Sequence, residues 1–195
     1  CRFYGIDKKY FQQIADKRER YRSLFGTDAV NDALQSALNK DFSNAVKNKD
    51  EEMLNQFLKQ MNDYELTSDP ETVLFYRLAF YQQTKDWKKL MEQMEAYIRI
   101  HGEGDVALNE YCWAIYEQCD DPAVVERATA IMKSVTAAHP MYAETDTYAA
   151  LLYKSKKYDE AEAAALKAIE LGKADGSDVS STEELLKKIR EAKPK

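Results

Sequence analysis

The fold is decided by residues 148–171, which read Tyr148-Ala149-Ala150-Leu151-Leu152-Tyr153-Lys154-Ser155-Lys156-Lys157-Tyr158-Asp159-Glu160-Ala161-Glu162-Ala163-Ala164-Ala165-Leu166-Lys167-Ala168-Ile169-Glu170-Leu171. Apolar residues recur at helical spacing on both sides of a short polar break: Ala149 and Leu152 before Lys156-Lys157, then Ala161, Ala165, Ala168 and Ile169 after it. The pattern predicts two helices, Thr145 to Lys154 and Tyr158 to Leu171, with Gly172 closing the second.

Outward from this hairpin the same periodicity runs almost end to end. Upstream, Tyr10, Ile14, Tyr21 and Phe25 share a stripe that Gly26 ends, and Thr27 or Asp28 can cap the next helix, which carries Leu34, Leu38, Phe42 and Ala45. Met53, Leu54, Phe57, Leu58 and Met61 resume the pattern, and Pro70 sits where a first helical turn accepts proline. Leu74, Leu78 and Tyr81 follow, then Leu90, Met94, Tyr97 and Ile98, a helix around Tyr111 to Gln118, and one that Asp121-Pro122 opens and His139-Pro140 ends. Downstream, Asp175-Gly176-Ser177-Asp178 reads as a loop, and Ser181 with Glu184 reads as a capping box opening a last helix, Leu185 to Ala192.

Composition agrees. In 195 residues there are 6 Gly and 4 Pro, too few for the turns of an all-β protein, and 45% hydrophobic residues, too many for a disordered chain. No run approaches the roughly 18 apolar residues of a membrane span. Lys and Arg number 28 against 34 Asp and Glu, a net charge of −6, opposite to what a phosphate backbone attracts. Nucleic acid is therefore not an expected partner.

The hairpin repeats. With Ala161 as the small anchor of a second helix, Ala128, Leu90 and Leu54 take the matching places upstream, at intervals of 33, 38 and 36 residues. Trp87 falls where Tyr158 does, Met94 and Tyr97 match Ala165 and Ala168, and Trp113-Ala114 matches the small site of the preceding helix. These residues resemble the tetratricopeptide repeat over about residues 36 to 172. Leu78 and Phe42 depart from it, standing where that repeat prefers Gly or Ala. The resemblance implies an all-α fold, a right-handed superhelix of antiparallel helix pairs with about ten helices. It divides into an N-terminal helical cap (1–35), four helix pairs (36–172), and a loop with a capping helix (173–195).

A narrower resemblance lies in Asn109-Glu110-Tyr111-Cys112-Trp113-Ala114, the Asp120-Asp121-Pro122 turn, and Asp146 through Lys154. These look like the C-terminal helical region of bacterial exported proteins that begin with a thioredoxin-like domain. That likeness implies redox chemistry upstream of Cys1, an accessory role beside a thiol-disulfide oxidoreductase, and the periplasm or cell envelope in preference to the cytoplasm. The chain opens at Cys1, which reads as the edge of an excised piece in preference to a lipidated N-terminus, because Arg2-Phe3-Tyr4 leads almost directly into Tyr10-Phe11 without a polar tether. Cys112 and Cys119 lie seven apart on one helix, about 10 Å by rise, and are expected to stay unpaired.

No catalytic constellation stands out. His101 and His139 are 38 residues apart without a helical ligand partner and read as dipole-complementing residues of last turns. No phosphate-cradling glycine motif and no nucleophile elbow occurs. Glu51-Glu52, Asp120-Asp121 and Glu183-Glu184 all sit at helix starts, where the macrodipole favours them. The expectation is a chain without catalysis or cofactor of its own, binding a protein or peptide, with a homo-oligomer as a structural alternative. In stacked hairpins the first helices line the groove. This places Phe75, Gln82, Gln83, Tyr111, Gln118, Asp146, Tyr153 and Lys154 toward it.

Overall fold

The structure is a computed structural model that describes residues 8–67 and 69–194. Among the described residues there are eleven α-helices and no strand. They are α1 (Lys8–Asp16), α2 (Arg18–Phe25), α3 (Thr27–Asn48), α4 (Glu51–Asp63), α5 (Pro70–Thr84), α6 (Trp87–His101), α7 (Leu108–Gln118), α8 (Pro122–Ala138), α9 (Tyr142–Lys154), α10 (Tyr158–Asp175) and α11 (Ser180–Ala192). None is long and apolar enough to cross a membrane. Cys1 lies outside the described residues.

Two compact units divide the chain, the first ending at Thr84 and the second beginning at Lys85. In the first, α3 pairs with α4, and α1, α2 and α5 pack on α3. Its centre is Leu34, Leu38, Leu54, Phe57 and Leu78, all buried. Phe42, Phe57 and Tyr76 form a ring cluster with centroids 4.8 to 5.5 Å apart. In the second, α7 to α11 each pack on the next in chain order, and α9 also packs on α7. Burial of the alanines 149, 150, 161 and 165 lets α9 and α10 approach closely, with Leu152, Leu186 and Ile189 closing that core.

Of the four turns that join α3 to α4, α5 to α6, α7 to α8 and α9 to α10, three share one device. Lys49, Lys85 and Lys156 all adopt left-handed backbone, with φ of 53°, 63° and 59°, and each is followed by the residue that opens the next helix. Where that next residue is aspartate it caps: Asp50 accepts from the Met53 N–H at 3.0 Å and Asp86 from the Lys89 N–H at 3.2 Å. The third turn uses Asp121 instead, which accepts from the Ala123 N–H at 3.0 Å ahead of Pro122 at the first helical position.

The turns also correct the repeat register. The first helical bond of each second helix runs from Leu54 to Asp50, Leu90 to Asp86, Val125 to Asp121 and Ala161 to Lys157. The structural equivalents are thus 54, 90, 125 and 161, at intervals of 36, 35 and 36, with Val125 in place of Ala128. The unequal intervals of 33 and 38 residues become even, and the chain is compatible with a helical repeat. Ala128 is buried one helical turn further along, where its carbonyl accepts from the Cys112 thiol.

Other expectations need correction. The helix expected over Tyr10 to Phe25 breaks at Lys17, whose N–H turns back to the Ile14 carbonyl. α10 does not stop at Gly172 but runs to Asp175, and Gly176 is the left-handed residue that ends it. The capping box at Ser181 and Glu184 is not formed. α11 starts at Ser180, whose N–H donates to Asp178 at 2.9 Å. As expected, Cys112 and Cys119 are free thiols, both buried, and burial pushes the Cys112 thiol up to about 12. His101 ends α6 and stacks on Tyr97 at 4.3 Å, while His139 follows α8, and both are exposed.

Candidate functional site

The eight expected groove residues fall in both units. On α5 of the first, Phe75 and Gln83 are exposed and Gln82 is half-buried. The other five belong to α7 and α9 of the second.

A helix turns by about 100° per residue, so Tyr142, Ala143, Asp146, Ala150, Tyr153 and Lys154 fall within an arc of about 120° on α9. Both edges of that arc are tied to neighbours. On one edge, Asp146 Oδ1 accepts from the Thr182 hydroxyl of α11 at 2.7 Å. Tyr142 joins it there, with its hydroxyl 2.9 Å from Thr182 Oγ1 and donating to the Asp178 carbonyl at 3.0 Å. On the other edge, Lys154 Nζ donates to the Tyr116 carbonyl of α7 at 2.6 Å, lies 3.5 Å from Asp120 and sits 5.9 Å from the Tyr116 ring centre. Of the two alanines on the arc, Ala143 is exposed and Ala150 is buried in the core. Asp146, Tyr153 and Lys154 are thereby brought together on the floor between α7 and α11.

On α7, Tyr116 and Trp113 lie beside this face of α9. Tyr116 packs against the α9 to α11 core, and Trp113 lies against it at 5.1 Å between ring centres. Tyr111 and Gln118 share another stripe, about 140° around the helix from Tyr116. The missed signal is Trp113 itself, an indole 36% exposed on a helix whose other large apolar residues, Leu108 and Ile115, are fully covered.

The electrostatics are those of half-buried polar groups. Burial raises the Asp146 carboxyl above its usual range, and the Thr182 hydrogen bond opposes that shift. Tyr116 is raised by burial first, then by Tyr153, Asp146 and Glu117 nearby. Tyr111 is raised by burial and by Glu110. Among the described residues no group of three His, Cys, Asp or Glu is set to hold a metal. Beside Lys154 a cleft of about 530 Å³ is lined by Asp120, Glu126, Lys154, Lys156 and Lys157, carrying charges of both signs.

No family model, no curated protein and no solved structure matches the chain.

Proposed function

We propose that the chain is a non-catalytic protein- or peptide-binding helical repeat module of tetratricopeptide-like design, and that the α7, α9 and α11 face of its second unit holds the ligand. The observation that carries this reading is the face of α9 on which Asp146, Tyr153 and Lys154 lie, with α7 and α11 packed on either side. Aromatic rings with polar tips offer contact area at little rotamer cost. Trp113, partly exposed beside Tyr116, adds the kind of anchor on which peptide recognition concentrates its energy.

The test is to pan a random-peptide library on the immobilised protein and titrate the selected peptides by fluorescence polarisation. Peptides binding at micromolar Kd and weakened roughly tenfold or more by Tyr153→Ala or Trp113→Ala are expected. Affinities no better than millimolar, or binding indifferent to both substitutions, would overturn the reading.

A further inference from the structure

We propose that the groove of the second unit is built for a cationic side chain, with Asp146 as its counter-charge and the Tyr116 and Tyr153 rings beside it. The inference rests on the peptide-binding reading and specifies which peptides the groove selects.

Asp146 is half-buried, yet only one of its carboxylate oxygens is engaged, by the Thr182 hydroxyl. Among the described residues Asp146 has no cationic partner and its Oδ2 accepts no hydrogen bond. A partly desolvated carboxylate without a counter-ion is costly, and such groups in folded proteins are normally paired. The nearest amine on the same helix, that of Lys154, is already held by the Tyr116 carbonyl and Asp120. The missing partner is therefore most economically a positive charge brought by the ligand, which the faces of neighbouring tyrosines also favour.

The wider charge pattern agrees. Residues 85–195 hold 16 of the 28 Lys and Arg and 21 of the 34 Asp and Glu, so −5 of the net −6 resides in this unit. On the α9 arc itself the charged side chains are Asp146 and Lys154, and Lys154 is already engaged by the Tyr116 carbonyl and Asp120. A unit of net negative charge draws a basic segment and repels an acidic one.

The experiment uses the full chain and three fluorescein-labelled nonapeptides in which glycine alternates with lysine, glutamine or glutamate, titrated at 50 and 300 mM salt. The lysine probe is expected to bind at least tenfold tighter than the glutamine probe, and the glutamate probe not to bind. Asp146→Asn keeps an oxygen for the Thr182 hydroxyl and removes only the charge. It should weaken the lysine probe roughly tenfold and leave the glutamine probe unchanged, in line with the strength of a charge-assisted hydrogen bond. A lysine-probe advantage that disappears at 300 mM salt and ignores Asp146→Asn reflects the net charge of the unit alone and overturns the proposal. Equal binding of lysine and glutamine probes, both lost in Tyr153→Ala, also overturns it while leaving the peptide-binding reading intact. If neither these probes nor the panned peptides bind, both fall together.

Discussion

Gly172 sits inside α10 rather than at its end, and replacing it with alanine tests how α11 is held against α9. A Cβ at this position would collide with Val179 Cγ1 and would come within 3.0 Å of Tyr142 Cδ2 and 3.2 Å of Tyr142 Cγ. Neither neighbour is free to give way. Val179 is 7% exposed at the start of α11, and Tyr142 is fixed by its hydroxyl contacts to Asp178 and Thr182. Two effects oppose each other. Alanine is favoured over glycine inside a helix by about 1 kcal/mol. Overpacking costs about 1–3 kcal/mol, and loosening the Tyr142 hydrogen bonds about 1 kcal/mol more. The clash wins, and Gly172→Ala should destabilise the second unit by about 1–3 kcal/mol, lowering Tm by roughly 3–9 °C. Both tryptophans, Trp87 and Trp113, belong to this unit, so urea unfolding followed by tryptophan fluorescence reads it directly. Val179→Ala alone opens a cavity and also destabilises, but in the double variant the added methyl fills that space. The two losses should then fall short of additivity by ~1 kcal/mol or more. A stabilised Gly172→Ala, or strict additivity in the double variant, would refute the packing argument.

Other consequences are open to measurement. Glycine at Lys49, Lys85 or Lys156 relieves left-handed backbone costing ~1–2 kcal/mol against ~0.5–1 kcal/mol of extra chain entropy, so each substitution should stabilise by ~0.5–1 kcal/mol in thermal melts. Arg127 bonds Glu95 and Glu103, each at 2.6 Å, joining α6, the following loop and α8. Arg127→Met should cost about 1 kcal/mol, discounted because the pair is over a third exposed. The guanidinium hydrogen bond holds Glu95 below its usual pKa, so this stabilisation is present above the ordinary glutamate range and fades as pH falls through the lowered value. The gap between wild type and Arg127→Met should close in acid. Cys112, buried with its thiol raised to about 12, should react with a thiol reagent only as fast as the second unit opens, at a rate that follows urea concentration.

Where residues act locally, the sequence is a good guide to this fold. Asp121-Pro122 starts α8, Pro70 starts α5 and Gly26 ends α2 because proline fixes φ and glycine accepts φ of 90°. Illegible features are those in which an ordinary residue does an unusual job. Lys49, Lys85 and Lys156 are good helix formers by propensity, so nothing marks them as turn residues until the backbone is seen. Gly172 reads as a stop, but at this position the absence of a side chain serves close packing. Ala128 attracts the register because it is small, whereas the Asp121 turn sets it at Val125. In the proposed groove, the shared face of the α9 residues follows from periodicity once its hairpin is recognised. That of the α7 residues does not, because a helix with apolar residues on most of its circumference has no phase until its neighbours are placed.

Asp146 separates a binding residue from a structural one, because the two roles give opposite signs. Its carboxyl is raised above the ordinary aspartate range chiefly by burial, so between the unfolded and folded values the native state holds more protons than the unfolded state. Stability therefore falls as pH rises through that window, and the ionised side chain is a liability at neutral pH. Asp146→Asn retains the Thr182 hydrogen bond and removes the liability. It should unfold at higher urea than wild type at pH 7, and the advantage should shrink as the pH falls through that same window and be gone below the ordinary aspartate range. A carboxylate kept only to tie α9 to α11 predicts the reverse, a less stable variant at neutral pH, since its charge would be what strengthens the Thr182 bond. A variant that gains stability while losing affinity for the lysine probe is what a site held ready for a cation requires. Loss of both together would reduce Asp146 to a helix tie and return the groove to its aromatic residues alone.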